Sequence, residues 1–208
     1  PGIDDTRYHL GLLAKDEIGY KNLIKLVSIA NTEGMYYKPR IDREILKEHS
    51  EGLICLSGCL AGELARNIIE DYEKGKEVAK WYRDVFGDDY YLEIQANGIE
   101  EQKIVNQKIV KLSKELNIPL VVTNDVHYTC REDVEAQDIL ICIQTGKKID
   151  DEDRMKIDVD TLYIKSPEEI KKEFANFPEA LENTVKIAEK CNFEFEFGNT
   201  KLPNFDTP

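Results

Sequence analysis

The chain has 208 residues, 41% of them hydrophobic and 33% charged, which is enough apolar side chain to bury a core and places it outside the disordered class; it fits one globular domain or one large piece of a bigger protein. Its 41 acids against 28 lysines plus arginines give a net charge of -13, which repels a phosphate backbone and excludes broad nucleic-acid binding by charge alone. No apolar run approaches the roughly 18 to 20 residues that span a bilayer, and the opening PGIDDTRYHL has neither a basic nor an apolar leader region, so no membrane association and a cytoplasmic location are expected.

In chain order, the first apolar run is HLGLLA, His9 to Ala14, which reads as a strand. A helix follows from about Asp16 to Asn31, with Leu23, Leu26, Val27 and Ala30 on its inward face. His49, in ILKEHSEG, sits between polar neighbours and reads as a solvated helix-end residue. GLICLSG, Gly52 to Gly58, is the second strand, followed by a short helix from about Ala61 to Ile69 and a longer one from about Glu73 to Phe86 that turns Val78, Tyr82 and Val85 inward. YYLEIQ, Tyr90 to Gln95, is the third strand. The helix Ile99 to Leu116 buries Ile104, Val105, Ile109, Leu112 and Leu116, and PLVVTN, Pro119 to Asn124, is the fourth strand.

Three of these strands are almost continuously apolar rather than alternating, the pattern of strands covered on both faces. Strand then helix, repeated about every thirty to forty residues, predicts β/α units and a parallel sheet or barrel. Beyond Tyr128 the texture turns helical: EDVEAQDILICIQTG, then SPEEIKKEF opened by Ser166 as a cap, then FPEALENTVKIAEKC with Pro178 near a helix start. The tail FEFEFGNTKLPNFDTP alternates, breaks at Pro203 and Pro208, and reads as a connector.

The chemistry concentrates where strands end. In a β/α barrel the loops after the strands converge on one face. Asp125 and His127 close PLVVTN two residues apart, so an extended backbone would aim both the same way. Cys59 stands in the same place after GLICLSG. His9 starts its run and would lie on the opposite rim, unless the strand begins near Thr6 and His9 points inward. Imidazole, carboxylate and thiolate suit zinc or a similar divalent ion. Taken alone, Asp125 and His127 fit a helix N-cap acid and a satisfied surface histidine as well, and Cys59 fits a buried inert thiol better. The cysteines, Cys55, Cys59, Cys130, Cys142 and Cys191, are five in number and form no CxxC pair, so reduced thiols are expected.

The strings HLGLLAKDEIGYKNLIKLVS, GLICLSGCLAGE, YYLEIQ, IPLVVTNDVHY, ILICIQTGK, SPEEI, FPEALENTVKIAEKCN and LPNF, in this order and spacing, resemble the PHP (polymerase and histidinol phosphatase) domain of bacterial DNA polymerase III alpha subunits of the DnaE type. The resemblance runs over essentially the whole chain. It implies an α/β fold that is part of a distorted (β/α)7 barrel, parallel strands alternating with helices, with a helical C-terminal extension. Residues 1–192 would be the PHP domain and 193–208 the connector toward the polymerase palm. The family's metal cluster uses histidines, carboxylates and, in the polymerase branch, a cysteine. Position by position, the resemblance implies His9, Cys59, Asp125 and His127 as metal ligands and assigns no catalytic residue.

The family also begins with a His-x-His strand and further Asp, His and Glu ligands that have no counterpart here. The expectation is therefore the later portion of the domain, with the first β/α units missing and an incomplete ligand set for zinc or manganese. The palm aspartates that bind magnesium for nucleotide addition are likewise absent from this sequence, so this chain alone is not expected to polymerise. The implied setting is a replicative DNA polymerase III alpha subunit, meeting DNA and other holoenzyme subunits through the rest of the protein. Three roles follow from the resemblance: a metal-dependent 3'-5' exonuclease or phosphoesterase, a structural module that docks a proofreading exonuclease subunit, or a free-standing PHP phosphatase acting on a small phosphate ester. The polymerase-like LPNFDTP tail and CIQTG helix count against the third. An incomplete barrel leaves sheet edges unpaired, which is compatible with a homodimer of the chain.

Overall fold

A computed structural model describes residues 6–200 and 202. The chain runs β1 (Gly11–Ala14), α1 (Glu17–Thr32), a hairpin of β2 (Met35–Tyr36) and β3 (Lys38–Pro39), α2 (Arg43–Glu48), β4 (Leu53–Leu56), α3 (Glu63–Glu70), α4 (Tyr72–Phe86), β5 (Tyr90–Gln95), α5 (Glu100–Leu116), β6 (Leu120–Thr123), α6 (Val134–Thr145), α7 (Pro167–Glu173) and α8 (Pro178–Lys190). Short polar side chains start four of these helices, α1, α2, α4 and α7. Asp16 Oδ1 accepts from Gly19 N at 2.9 Å, Asp42 Oδ1 from Ile45 N at 2.9 Å, and Ser166 and Glu169 form a reciprocal capping box. At α5 the stop is Asn117, held at φ 53°, a left-handed cap. His49 caps the C-terminus of α2, the helix end its polar neighbours imply.

The main sheet has the order β1-β4-β5-β6. β4, β5 and β6 are parallel, as the β/α spacing implies, but β1 pairs antiparallel to β4, with Gly11 opposite Leu56 and Ala14 opposite Leu53. The expectation of parallel strands throughout is therefore corrected. Between β1 and β4 lie two helices and a hairpin instead of one crossover helix, so the right-handed β-α-β rule has no hold on their relative direction. The chain re-enters the sheet beside the point where β1 left it, tied there by Lys15 N donating to Gly52 O at 2.8 Å. Four strands cannot close a barrel, and the described residues form an open mixed sheet.

The two faces of that sheet are covered unequally. On one side Cys55, Tyr90, Leu92, Ile94 and Val122 pack with Ile68, Ala79, Ile109 and Leu112 from α3, α4 and α5. On the other, Ile54, Tyr91 and Val121 meet Ile187 of α8. Of the three strands read as covered on both faces, β4 is buried at Leu53, Ile54 and Cys55 and β6 at Val121 and Val122, whereas β1 is only half-buried at the sheet edge; β5, outside that reading, is buried at all six positions. Two side chains assigned to helix interiors face outward: Val27 is 56% and Ile104 47% exposed. After α8, Phe193 stacks on Tyr20 at 4.4 Å between ring centroids and Phe195 meets the same ring edge-on at 5.1 Å. The end of the expected connector, residue 201 and residues 203–208, lies outside the described residues.

Candidate metal centre

Because β1 is antiparallel, its beginning lies at the same rim as the ends of β4, β5 and β6. His9, two residues before β1, forms a bridge with Gly62, and its N–H donates to Ala61 O at 3.0 Å. The rim conflict expected for His9 therefore disappears without moving the strand start to Thr6. Cys59 Sγ lies 3.6 Å from His9 Nδ1. Gly58 makes this approach feasible. Its φ is +84°, and a Cβ there would sit 2.7 Å from His9 O.

His9, Cys59, Glu93, Gln95, Thr123 and Asp125 line one open cavity of about 450 Å³. Glu93 and Gln95 alternate with Leu92 and Ile94 along β5, so they occupy the sheet face beyond the apolar cover of α8. Glu93 is only 7% exposed. Its Oε1 accepts from Thr123 Oγ1 at 2.9 Å and its Oε2 from the Gly58 N–H. Burial, with the nearby charge of Asp125 adding to it, raises the Glu93 carboxyl above the usual range and outweighs these hydrogen bonds. The Cys59 thiol is also raised, first by its burial and then by the negative charges of Asp125 and Glu93. Its carboxylate neighbours thus favour the thiol over the thiolate.

Asp125 faces the cavity, but His127 does not line it. Asp125 adopts φ 53°, a left-handed turn that ends the extended course of β6. The two-residue spacing therefore does not point both side chains the same way. His127 is exposed, its N–H donates to Leu162 O at 2.8 Å, and its Nδ1 lies 2.9 Å from Asp125 O. Among the described residues no three His, Cys, Asp or Glu side chains stand close enough together to hold one ion as they are placed. The groups nevertheless match a divalent cation in kind: an imidazole beside a thiol and the Asp125 carboxylate just past β6, with the Glu93 carboxylate of β5 behind them. Glu93 escapes notice among the sequence motifs. Its signal was an acid inside YYLEIQ, a run whose neighbours all demand burial.

Comparison with known proteins shows what the chain is similar to. Residues 2–97 match the PHP domain. The chain is 52% identical over 203 residues to the DNA polymerase III subunit alpha of Borreliella burgdorferi, covering 97% of this chain and 18% of that protein. It is 48% identical over 210 residues to the subunit of the same name from Campylobacter jejuni, covering 96% of this chain and 18% of that protein. Against the Thermus aquaticus subunit it is 42% identical over 218 residues, covering all of this chain and again 18% of that protein. The chain thus spans under a fifth of the length of these relatives.

Proposed function

Starting from a chain that carries a PHP domain and is similar over nearly its whole length to one segment of DNA polymerase III alpha subunits, we propose that it serves in such a subunit, a DNA-directed DNA polymerase, as a divalent-cation site at the polymerase's flank. The observation that carries this reading is the meeting of His9, Cys59, Glu93 and Asp125 on one rim, drawn from four separate strands or strand approaches. In that protein the open sheet would continue into a closed barrel. Zinc or manganese is the cation the donors suit, with His9, Cys59 and Asp125 as ligands and His127 swinging in from its exposed position. Such an ion would supply an activated water and polarise a phosphodiester, the chemistry of a 3'-5' exonuclease or phosphoesterase. Cys59 and Asp125 would hold the cation together with His9, and the buried face below would keep bulk water from one side.

An acidic chain brings no DNA to this rim by itself, so the basic surface must come from elsewhere in the polymerase, a cytoplasmic replication enzyme whose other domains and holoenzyme partners engage the duplex. Magnesium for nucleotide addition belongs to those other domains. A second reading, a bracing module that docks another holoenzyme subunit such as a proofreading exonuclease, draws support from α6, where Ile139, Leu140 and Ile143 are all exposed. The two are separated by elemental analysis of the full-length polymerase together with Asp125→Asn. Stoichiometric zinc or manganese, and chelator-sensitive 3'-5' hydrolysis lost in the variant while polymerisation persists, supports the catalytic site. Hydrolysis unchanged in Asp125→Asn refutes it.

A further inference from the structure

Glu93 is the most enclosed charged group on the rim, yet neutral donors hold both of its oxygens. The Gly58 N–H reaches Oε2 and the Thr123 hydroxyl reaches Oε1 at 2.9 Å. These donors are not arbitrary in position. Gly58 immediately precedes Cys59, and Thr123 stands two residues before Asp125. The Glu93 backbone adds a further link, its N–H donating to Ser57 Oγ at 2.9 Å. The hydroxyl of Thr123 is itself aimed, because Gln95 Nε2 donates to it at 3.0 Å and so directs its proton toward Glu93. On the other arm, Gly58 adopts φ +84° with no room for a Cβ beside His9 O, a position that keeps glycine in the turn carrying this N–H.

We propose that Glu93 is the positioning residue of the rim: its carboxylate fastens the Cys59 turn to the end of β6 and thereby sets the spacing between the thiol and Asp125. The inference rests on the cation reading of the cavity and adds to it a residue outside the ligand set. Strand β5 is the rigid member, buried along its whole length, while Cys59 and Asp125 both sit on turns that a strand-borne carboxylate can steady. Groups behind a ligand that fix its orientation weigh heavily in metal affinity.

The test uses cobalt(II) alone as the probe on the full-length protein, since cobalt accepts the same donors as zinc and a bound thiolate gives it a strong near-ultraviolet absorption. Cys59→Ser identifies the part of that absorption due to Cys59. Glu93→Ala is expected to weaken cobalt binding by about 10–100-fold, and Glu93→Gln by clearly less, because the amide oxygen still accepts from the Gly58 N–H while its NH2 meets the Thr123 hydroxyl proton and only that arm is loosened. Thr123→Val, which frees only the Asp125 arm, should lower affinity and keep the Cys59 absorption at saturating cobalt. Circular dichroism on each variant checks that it folds, and the Gln and Val variants keep the test open if Ala does not. Wild-type affinity and absorption in folded Glu93→Ala would overturn the proposal. So would Glu93→Gln falling as far as Ala, because the charge and not the fastening would then be at work. A folded wild-type protein that binds no cobalt would overturn the cation reading itself, and this inference with it.

Discussion

Gly58→Ala tests whether the rim depends on one backbone position. At φ +84° an alanine carries roughly 1–2 kcal/mol of left-handed strain. Its Cβ would also meet His9 O at 2.7 Å, well inside ordinary contact, and that neighbour is backbone, which cannot rotate away. His9 must then shift, weakening the His9 N–H to Ala61 O bond of 3.0 Å, for about 1 kcal/mol more. The total of about 2–3 kcal/mol lowers the melting temperature by roughly 5–10 °C for a domain of this size. Gly146→Ala is the control: it sits in the left-handed well at φ 67°, ψ 28°, with nothing within 4 Å of the added Cβ, so only the strain applies. Thermal unfolding followed by circular dichroism should therefore place Gly58→Ala below Gly146→Ala. Equal melting temperatures would refute the claim that His9 O leaves no room for a side chain at this position.

Three further outcomes follow from the same structure. Asp89 accepts from Lys15 at 2.5 Å and from Lys190 at 2.8 Å; burial opposes ionisation, but these two ammonium groups prevail and hold its carboxyl below the usual range. Stability from Asp89 should thus be present above the unfolded carboxylate range, near pH 4, and vanish as pH falls through the lower folded value. Asp89→Asn should cost about 1–3 kcal/mol in urea unfolding at neutral pH, with the gap to wild type closing in acid; a gap that is constant with pH would contradict it. Ile109→Ala, at a fully buried site, should cost about 2–5 kcal/mol, while Ile104→Ala, at 47% exposure, should stay within about 1 kcal/mol, so similar losses would mean α5 faces the sheet differently. Finally, a chain at -13 should bind duplex DNA too weakly to register at physiological salt, and tight, salt-sensitive binding by it would refute that electrostatic argument.

What could be read in the sequence was whatever repeats. β5 and its flanking helices follow the period-2 and period-3.6 patterns to within a residue or two, because burial acts on every turn and every pleat. The errors are local. Val105, Ile109, Leu112 and Leu116 form the buried stripe of α5, and Ile104 lies one residue off it, at the edge where an apolar side chain can still face water. The short β2–β3 hairpin passed unseen, and of α2 only the end at His49 was read, both being too brief to show a period.

The rim depends on features with no period at all. His9 reaches Cys59 only because β1 runs against β4, and strand direction is set by the long connection between them, not by the apolar letters of HLGLLA. Asp125 and His127 part company because one residue takes a left-handed turn that no alternation rule anticipates. Glu93 and Gln95, by contrast, occupy alternate positions of a regular strand and could have been found by asking what a buried acid is for. The residues best placed to steady a site lie on its regular elements, and the candidate ligands lie on its irregular ends. A search of strand ends alone therefore finds candidate ligands and misses the carboxylate that links them.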